Sequence, residues 1–287
     1  MKLAVLLVIA LQMTAAPKIL VHGHRGARAA MPENTIPAFE YALAQGVDAL
    51  ELDLAVTRDN VLVVSHDPLM NPKICTGPAG LPTVIREMTL AQLRQWDCGA
   101  KQNPEFPNQK AIPGTRVPTF AEVLKLAKPS KVDLNVETKI FPSRPELTPA
   151  PEEFARLVIE EVRKYGMESR LILQSFDWRT LAAAKKLAPK VRLSALYPAA
   201  ATDAERSRDH IAEAHAAGYG ILSPHLRVTS KAGVERAHGL GMQVVPWTAN
   251  DPKAWDPLID AGVNAIITDD PAALIAYLKQ KGLHPGK

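Results

Sequence analysis

This chain of 287 residues has no long apolar run, no block of like charge, no tandem repeat and no low-complexity tract. The apolar run from Leu3 to Leu11 falls short of the roughly 20 apolar residues a membrane-spanning helix requires, so no integral membrane segment is expected. No basic stretch interleaved with aromatics occurs, and the balance of 34 basic against 30 acidic residues is mild, which argues against nucleic acid as a partner. Cysteine is scarce. Cys75 and Cys98 are the two present, and they sit in no Cys-x-x-Cys or Cys/His cluster, so a thiolate metal site is not expected.

With 47% hydrophobic and 22% charged residues, the composition is that of a globular chain able to bury a core. The 24 prolines fall mostly between periodic segments, where they stiffen loops and start helices. Residues 1–16 carry one lysine, the short apolar run and small residues before Pro17, the pattern of a signal peptide; an apolar strand under a barrel floor is the alternative. Export would favour a Cys75–Cys98 disulfide, whereas a cytosolic chain would keep two buried thiols.

Short β-branched runs alternate with amphipathic helical stretches, the pattern of a parallel α/β fold. Strands are expected at 18–22, 49–54, 61–65, 132–137, 171–175, 191–196, 220–223, 243–247 and 265–268. Thr89-x-x-Gln92 and Thr119-x-x-Glu122 read as capping boxes, and Asp251-Pro252 and Asp270-Pro271 as helix starts. Nine strands exceed the eight of a TIM-type (β/α)8 barrel, so one is expected to be accessory. Too few residues separate Asp53 from Val61 for a crossover helix. That leaves a hairpin or an extended return, and the extended return is expected because it keeps Glu51, Asp53 and His66 at one mouth. The segment 68–118, after the third strand, reads as an insertion over that mouth within a single barrel domain spanning 17–287.

The chemistry gathers at strand ends. Glu51 and Asp53 are two apart on a strand and share a face, and Glu137 ends another strand. Three such carboxylates are costly to bury without a cation, and they point to a hard divalent ion, Ca2+ or Mg2+, rather than zinc. Pairing with nearby basic residues is the structural alternative. His24 and His66, with a reference pKa near 6.5, suit general acid–base work. Arg25 and Lys139 place positive charge where a phosphodiester would gain negative charge in its transition state. Trp247 is read as a pocket wall, with core packing as the alternative. Asn34 or Thr35 is expected to cap the helix that follows, which makes Asn34 mainly structural, and Glu33 is left as a carboxylate able to orient Arg25. His22, His225 and His238 are assigned to structure or surface.

The ordered set His24-Arg25-Gly26, Pro32-Glu33-Asn34-Thr35, Glu51-x-Asp53, His66-Asp67, Glu137-x-Lys139, Pro246-Trp247-Thr248 and Ile267-Thr268-Asp269 resembles the glycerophosphodiester phosphodiesterase family. The resemblance runs from Ile19 to Pro271 and implies a TIM-type barrel with an insertion after the second histidine. It implies catalytic His24 and His66, metal ligands Glu51, Asp53 and Glu137, and phosphate contacts Arg25 and Lys139. The implied reaction is hydrolysis of a small-molecule glycerophosphodiester, such as glycerophosphocholine or glycerophosphoethanolamine, to glycerol 3-phosphate and an alcohol. The apolar N-terminus and paired cysteines look like the exported, periplasmic branch. Three rivals are weighed. His22-x-His24 superficially matches metal-dependent amidohydrolases, but the middle strands end in Gln174-Ser175-Phe176 and Leu196-Tyr197, without histidine. A related lyase acting on lysophospholipid or sphingomyelin would need an apolar loop at the mouth, where Trp96 and Phe106 are the candidates. A non-catalytic binding protein would have no use for the histidine pair.

Overall fold

The computed structural model describes residues 18–199, 202 and 207–285; the expected signal peptide lies outside them. The strands are β1 (Leu20–Gly23), β2 (Ala49–Val56), β3 (Leu62–Val64), β4 (Asp133–Thr138), β5 (Leu171–Ser175), β6 (Arg192–Tyr197), β7 (Ile221–Pro224), β8 (Gln243–Val244) and β9 (Ala265–Thr268). Eight of them run parallel in the order β8-β7-β6-β5-β4-β2-β1-β9. The ends of that order meet. Asn264 and Ile267 donate backbone hydrogen bonds to Val244 and Pro246, and Ala249 donates to Ile267, so the sheet closes into a barrel. The regular part of β8 is short because Pro246 has no N–H to give, although Val245 and Trp247 still bond to the β7 side.

β3 is the accessory strand, and here the structure corrects the sequence reading. It pairs antiparallel with β2, Leu54 opposite Val64 and Val56 opposite Leu62, so the two form a hairpin. The hairpin does not carry His66 away from the site. β2 runs on past Asp53 to Val56, and β3 retraces that overhang until the Ser65 N–H bonds the Asp53 carbonyl at 3.0 Å. His66 therefore leaves β3 level with the carboxylates.

Helices cover the outside of the barrel and start where side chains satisfy their first N–H groups. Thr89 and Thr119 each form a full capping box, and Asp251 and Asp270 cap helices that open on proline. The helix Pro151–Tyr165 ends at Gly166 in the left-handed conformation. Fully buried Phe39, Phe120 and Phe154 belong to the layer between helices and sheet. Each contributes about 1.5–3 kcal/mol by leaving water. Inside the barrel a small apolar plug of Ile172, Ile221, Val245, Ala265 and Ile267 forms a separate cluster.

The segment after β3 has a core of its own, built from Met70, Ile85, Met88, Leu93, Trp96 and Val117 and joined by the Cys75–Cys98 disulfide. Of the two cysteine readings, the disulfide is the one formed. The far end of this segment is tied to the loop after β1. Gln109 donates to the carbonyls of Arg28 (2.6 Å) and Met31 (3.0 Å), Lys110 N–H bonds Ala30, and the Phe106 ring lies 4.7 Å from the Arg28 guanidinium.

Candidate active site

The loop after β1 is shaped by its glycines. A Cβ on Gly23 would sit 2.2 Å from the Gly26 carbonyl, and Gly26 itself has φ +85° with Ala38 pressed within 2.8 Å of where its Cβ would be. Arg25 between them is held at φ 49°, a conformation that costs a non-glycine residue roughly 1–2 kcal/mol. The return on that strain is visible. The Arg25 N–H donates to Glu51 Oε2 at 2.9 Å, and its guanidinium reaches Glu33 Oε1 at 2.6 Å and Asp53 Oδ2 at 3.4 Å.

The β2–β4 register puts Asp53 directly opposite Glu137 and Glu51 opposite Asn135. Carboxylate oxygens of Glu51, Asp53 and Glu137 lie within 4.8 Å of one another, all buried. Lys139, just past β4, sets its ammonium 2.9 Å from Glu137 Oε1 and 3.3 Å from Asp53 Oδ1. Burial, with repulsion from Asp53, pushes the Glu51 carboxyl well above the usual range, and burial raises Glu137 too, against the pull of Lys139. Burial acts upward on Asp53 as well, but Lys139, His66, Arg25 and the Asn34 amide together hold it well below.

Both histidines engage a carboxylate through Nδ1. His24 Nδ1 is 2.5 Å from Asp269 Oδ1, and His66 Nδ1 is 2.8 Å from Asp67 Oδ1. A carboxylate only accepts, so each Nδ1 carries the proton and Nε2 is left for chemistry. Burial lowers the His24 pKa, with Asp269 opposing, and the neutral ring turns Nε2 towards Glu51 Oε2 at 4.0 Å. Asp269 is itself fixed by Asn250, whose amide donates to Oδ2 at 2.7 Å and whose Oδ1 accepts the Asp269 N–H at 2.9 Å.

His24, Arg25, Glu51, Asp53, His66, Glu137, Lys139 and Trp247 all line one cleft of about 290 Å³ at the C-terminal end of the barrel strands. The structure thus brings every expected site residue together. It also adds residues that sequence reasoning missed. Asn34 does not cap the helix Ile36–Gln45; Thr35 does, accepting from Ala38 N–H. Asn34 takes φ 56°, a conformation asparagine tolerates, and donates to Asp53 Oδ2 at 2.9 Å. Gln174 at the end of β5 donates to Glu51 Oε1 at 2.8 Å, and Arg28 reaches Glu33 Oε2 at 3.0 Å. A polar residue near the C-terminal end of a barrel strand, as Gln174 is, is the signal that was available.

The donor set fits a hard divalent cation. All three candidate ligands offer carboxylate oxygen, and both cysteines are consumed in the disulfide. Around them the linked ion pairs bring three basic side chains (Arg25, Arg28, Lys139) against six carboxylates (Glu33, Glu51, Asp53, Glu137, Asp269 and the exposed Glu105). Carboxylates outnumber the basic groups, an imbalance that a divalent cation would offset.

Comparison with known proteins agrees with this geometry. The model of the glycerophosphoryl diester phosphodiesterase family matches residues 24–273. A glycerophosphodiester phosphodiesterase of Caldanaerobacter subterraneus subsp. tengcongensis is 33% identical over 267 residues, covering 92% of this chain and 100% of that protein. A Silicibacter pomeroyi protein, provisionally assigned as a glycerophosphoryl diester phosphodiesterase, has a crystal structure that superposes with a TM-score of 0.86 at 32% identity, over 94% of this chain and 96% of its own. An Oleispira antarctica phosphodiesterase, solved with its product sn-glycerol-3-phosphate, shares the fold at a TM-score of 0.75 and 22% identity, over 91% and 97% of the two chains.

Proposed function

Given that this chain belongs to the glycerophosphoryl diester phosphodiesterase family, we propose that it hydrolyses glycerophosphodiesters such as glycerophosphocholine and glycerophosphoethanolamine to glycerol 3-phosphate and an alcohol, using a divalent cation and the His24–His66 pair. The observation that carries this reading is the pairing of each histidine with its own carboxylate on one cleft that also holds three clustered carboxylates. A small-molecule substrate fits a cleft of about 290 Å³, and among the described residues no helix is long and apolar enough to cross a membrane.

In the mechanism this supports, the phosphate lies between Arg25 and Lys139, whose charges offset its own. His24, neutral and fixed through Nδ1 by Asp269, accepts at Nε2 the proton of the nucleophile, which is water or a hydroxyl of the substrate's own glycerol. His66, fixed by Asp67, delivers a proton from Nε2 to the leaving oxygen as its bond to phosphorus breaks. Glu51, Asp53 and Glu137 are the residues that would hold Ca2+ or Mg2+, which supplies Lewis-acid neutralisation of phosphate oxygens. Arg25 N–H and Gln174 orient Glu51 for that task. An exported or periplasmic location belongs to the same proposal: residues 1–16 suggest it, and a disulfide is at home in an oxidising compartment.

The test is a pair of substitutions. His24→Ala and His66→Ala are each expected to lower kcat about 10²- to 10⁴-fold without loss of fold. Near wild-type turnover in both variants would remove the histidine pair from the reaction.

A further inference from the structure

The cleft is divided by chemistry. Its β1, β2 and β4 side is charged: His24, Arg25, Glu51, Asp53, Glu137 and Lys139 stand there. Its β5-to-β9 side is mostly apolar, with Phe176, Leu196, Trp247 and Ile267 beside the polar Gln174 and Thr248. A phosphodiester placed between Arg25 and Lys139 must send one of its organic arms across this apolar half.

Phe176 is where that half ends. It directly follows the last residue of β5, Ser175, and its ring meets the Trp247 ring edge to face, with centroids 5.4 Å apart and planes at 86°. Trp247 is pinned by its own Nε1–H bond to the Ser223 carbonyl and by the His225 ring at 5.0 Å. The two aromatics make a corner that one side holds rigidly. Phe176 is nevertheless 41% exposed, among the most exposed large apolar side chains of the described residues. The exposure has a cause. Beside the ring lies a second groove of about 470 Å³, bordered by Ile140, Pro142 and Trp178 and by the charged Asp177, Arg179 and Arg208 as well as Phe176, and a third of about 220 Å³ towards Tyr197. One side chain therefore borders all three spaces.

We propose that Phe176 is a specificity wall: it limits the catalytic cleft to substrates with small polar arms and shuts it off from a groove, apolar over most of its surface, that would otherwise admit a long acyl arm. This rests on the phosphodiesterase reading above and adds to it the basis of arm selection. Truncating the ring joins the two spaces, and a lysophospholipid then finds apolar surface on which to bury the methylenes of its chain. Small differences of this kind typically separate substrates by 10- to 200-fold.

The experiment compares kcat/KM for glycerophosphocholine and for lysophosphatidylcholine below its micelle concentration in wild type, Phe176→Ala and Phe176→Leu. Leu69→Ala, an exposed apolar residue on the insertion side, serves as control. The wall predicts that Phe176→Ala shifts the ratio at least about tenfold towards the lysophospholipid, Phe176→Leu less, and Leu69→Ala not at all. Melting temperatures near wild type, expected for a half-exposed position, show that the variants are folded. A wild-type enzyme active on glycerophosphocholine whose ratio is unmoved by Phe176→Ala overturns the wall and leaves the reaction standing. A folded wild-type protein inert on both substrates with Ca2+ and with Mg2+ overturns the reaction and the wall together.

Discussion

Asp53 and Glu137 face each other across the β2–β4 ladder, and a single ammonium, that of Lys139, stands 3.3 Å from one carboxylate and 2.9 Å from the other. With Arg25 also shared between Asp53 and Glu33, two basic side chains serve the three buried carboxylates Glu51, Asp53 and Glu137 and leave them short of positive charge. The burial that raises Glu51 and Glu137 shows the same deficit. The site is thus set to gain from a cation, and its stability should report cation binding directly.

Glu137→Gln tests that. A cation bound at 100 times its Kd adds about 2.7 kcal/mol of stability. Losing one of three ligands should weaken binding by 10- to 100-fold or more, going by what even outer-shell changes do. At the same concentration the gain then falls to about 0.4–1.4 kcal/mol or less. Thermal melts with chelator and with added Ca2+ or Mg2+ should show a metal-induced rise in Tm for wild type that is largely lost in the variant. Equal rises would remove Glu137 from the cation site.

Asp269→Asn addresses the buried histidine. An asparagine turned with its NH2 towards Asn250 sets two donors face to face. Turned the other way, it sets its NH2 against His24 Nδ1 and drives the ring proton to Nε2, where the base must be bare. We expect kcat to fall on the order of 10²-fold or more while KM changes little, because the loss is of transition-state chemistry rather than of substrate contact. A rise in KM with kcat preserved would assign Asp269 to substrate binding.

His22 governs part of the acid stability. Buried in the barrel beside Asn135, it has a pKa lowered to about 4, chiefly by burial and also by Arg192, with Asp133 opposing. Its unfolded value near 6.5 means that the unfolded chain takes up the proton first as pH falls. Stability from this residue is therefore whole above about pH 6.5 and is lost progressively towards pH 4, by about 3 kcal/mol in all. Glu51 and Glu137, raised by burial, act with the opposite sign in the metal-free protein, so the His22 contribution is read as a difference between variants. Urea unfolding at pH 7 and pH 5 should show His22→Gln losing about 2 kcal/mol less than wild type over that interval. Parallel losses would mean that His22 keeps an ordinary pKa in the fold.

Much of the site was legible because strand periodicity is strict. Glu51 and Asp53, two apart, had to share a face, and Glu137 had to reach the same end of the sheet once the strands were parallel. The β2–β3 connection was harder. Chain length correctly excluded a crossover helix, but nothing in the sequence shows that β2 runs three residues on past Asp53, and that extension is what lets a hairpin return His66 to the mouth. Of the two caps the sequence offered, Thr35 is the one used; an asparagine beside a helix start serves equally well as a cap, and only the left-handed turn shows that Asn34 goes to Asp53 instead. Asp270, read from the sequence as the start of the last helix, does cap it, and its neighbour Asp269, given no role by the strand and helix pattern, holds His24.

The most direct test is glycerol 3-phosphate release from glycerophosphocholine by the purified protein, treated with chelator and then supplied with Ca2+ or Mg2+. The account predicts release that stops on chelation and returns with at least one of the two ions. Release indifferent to the chelator, or no release from folded protein under either ion, would contradict it.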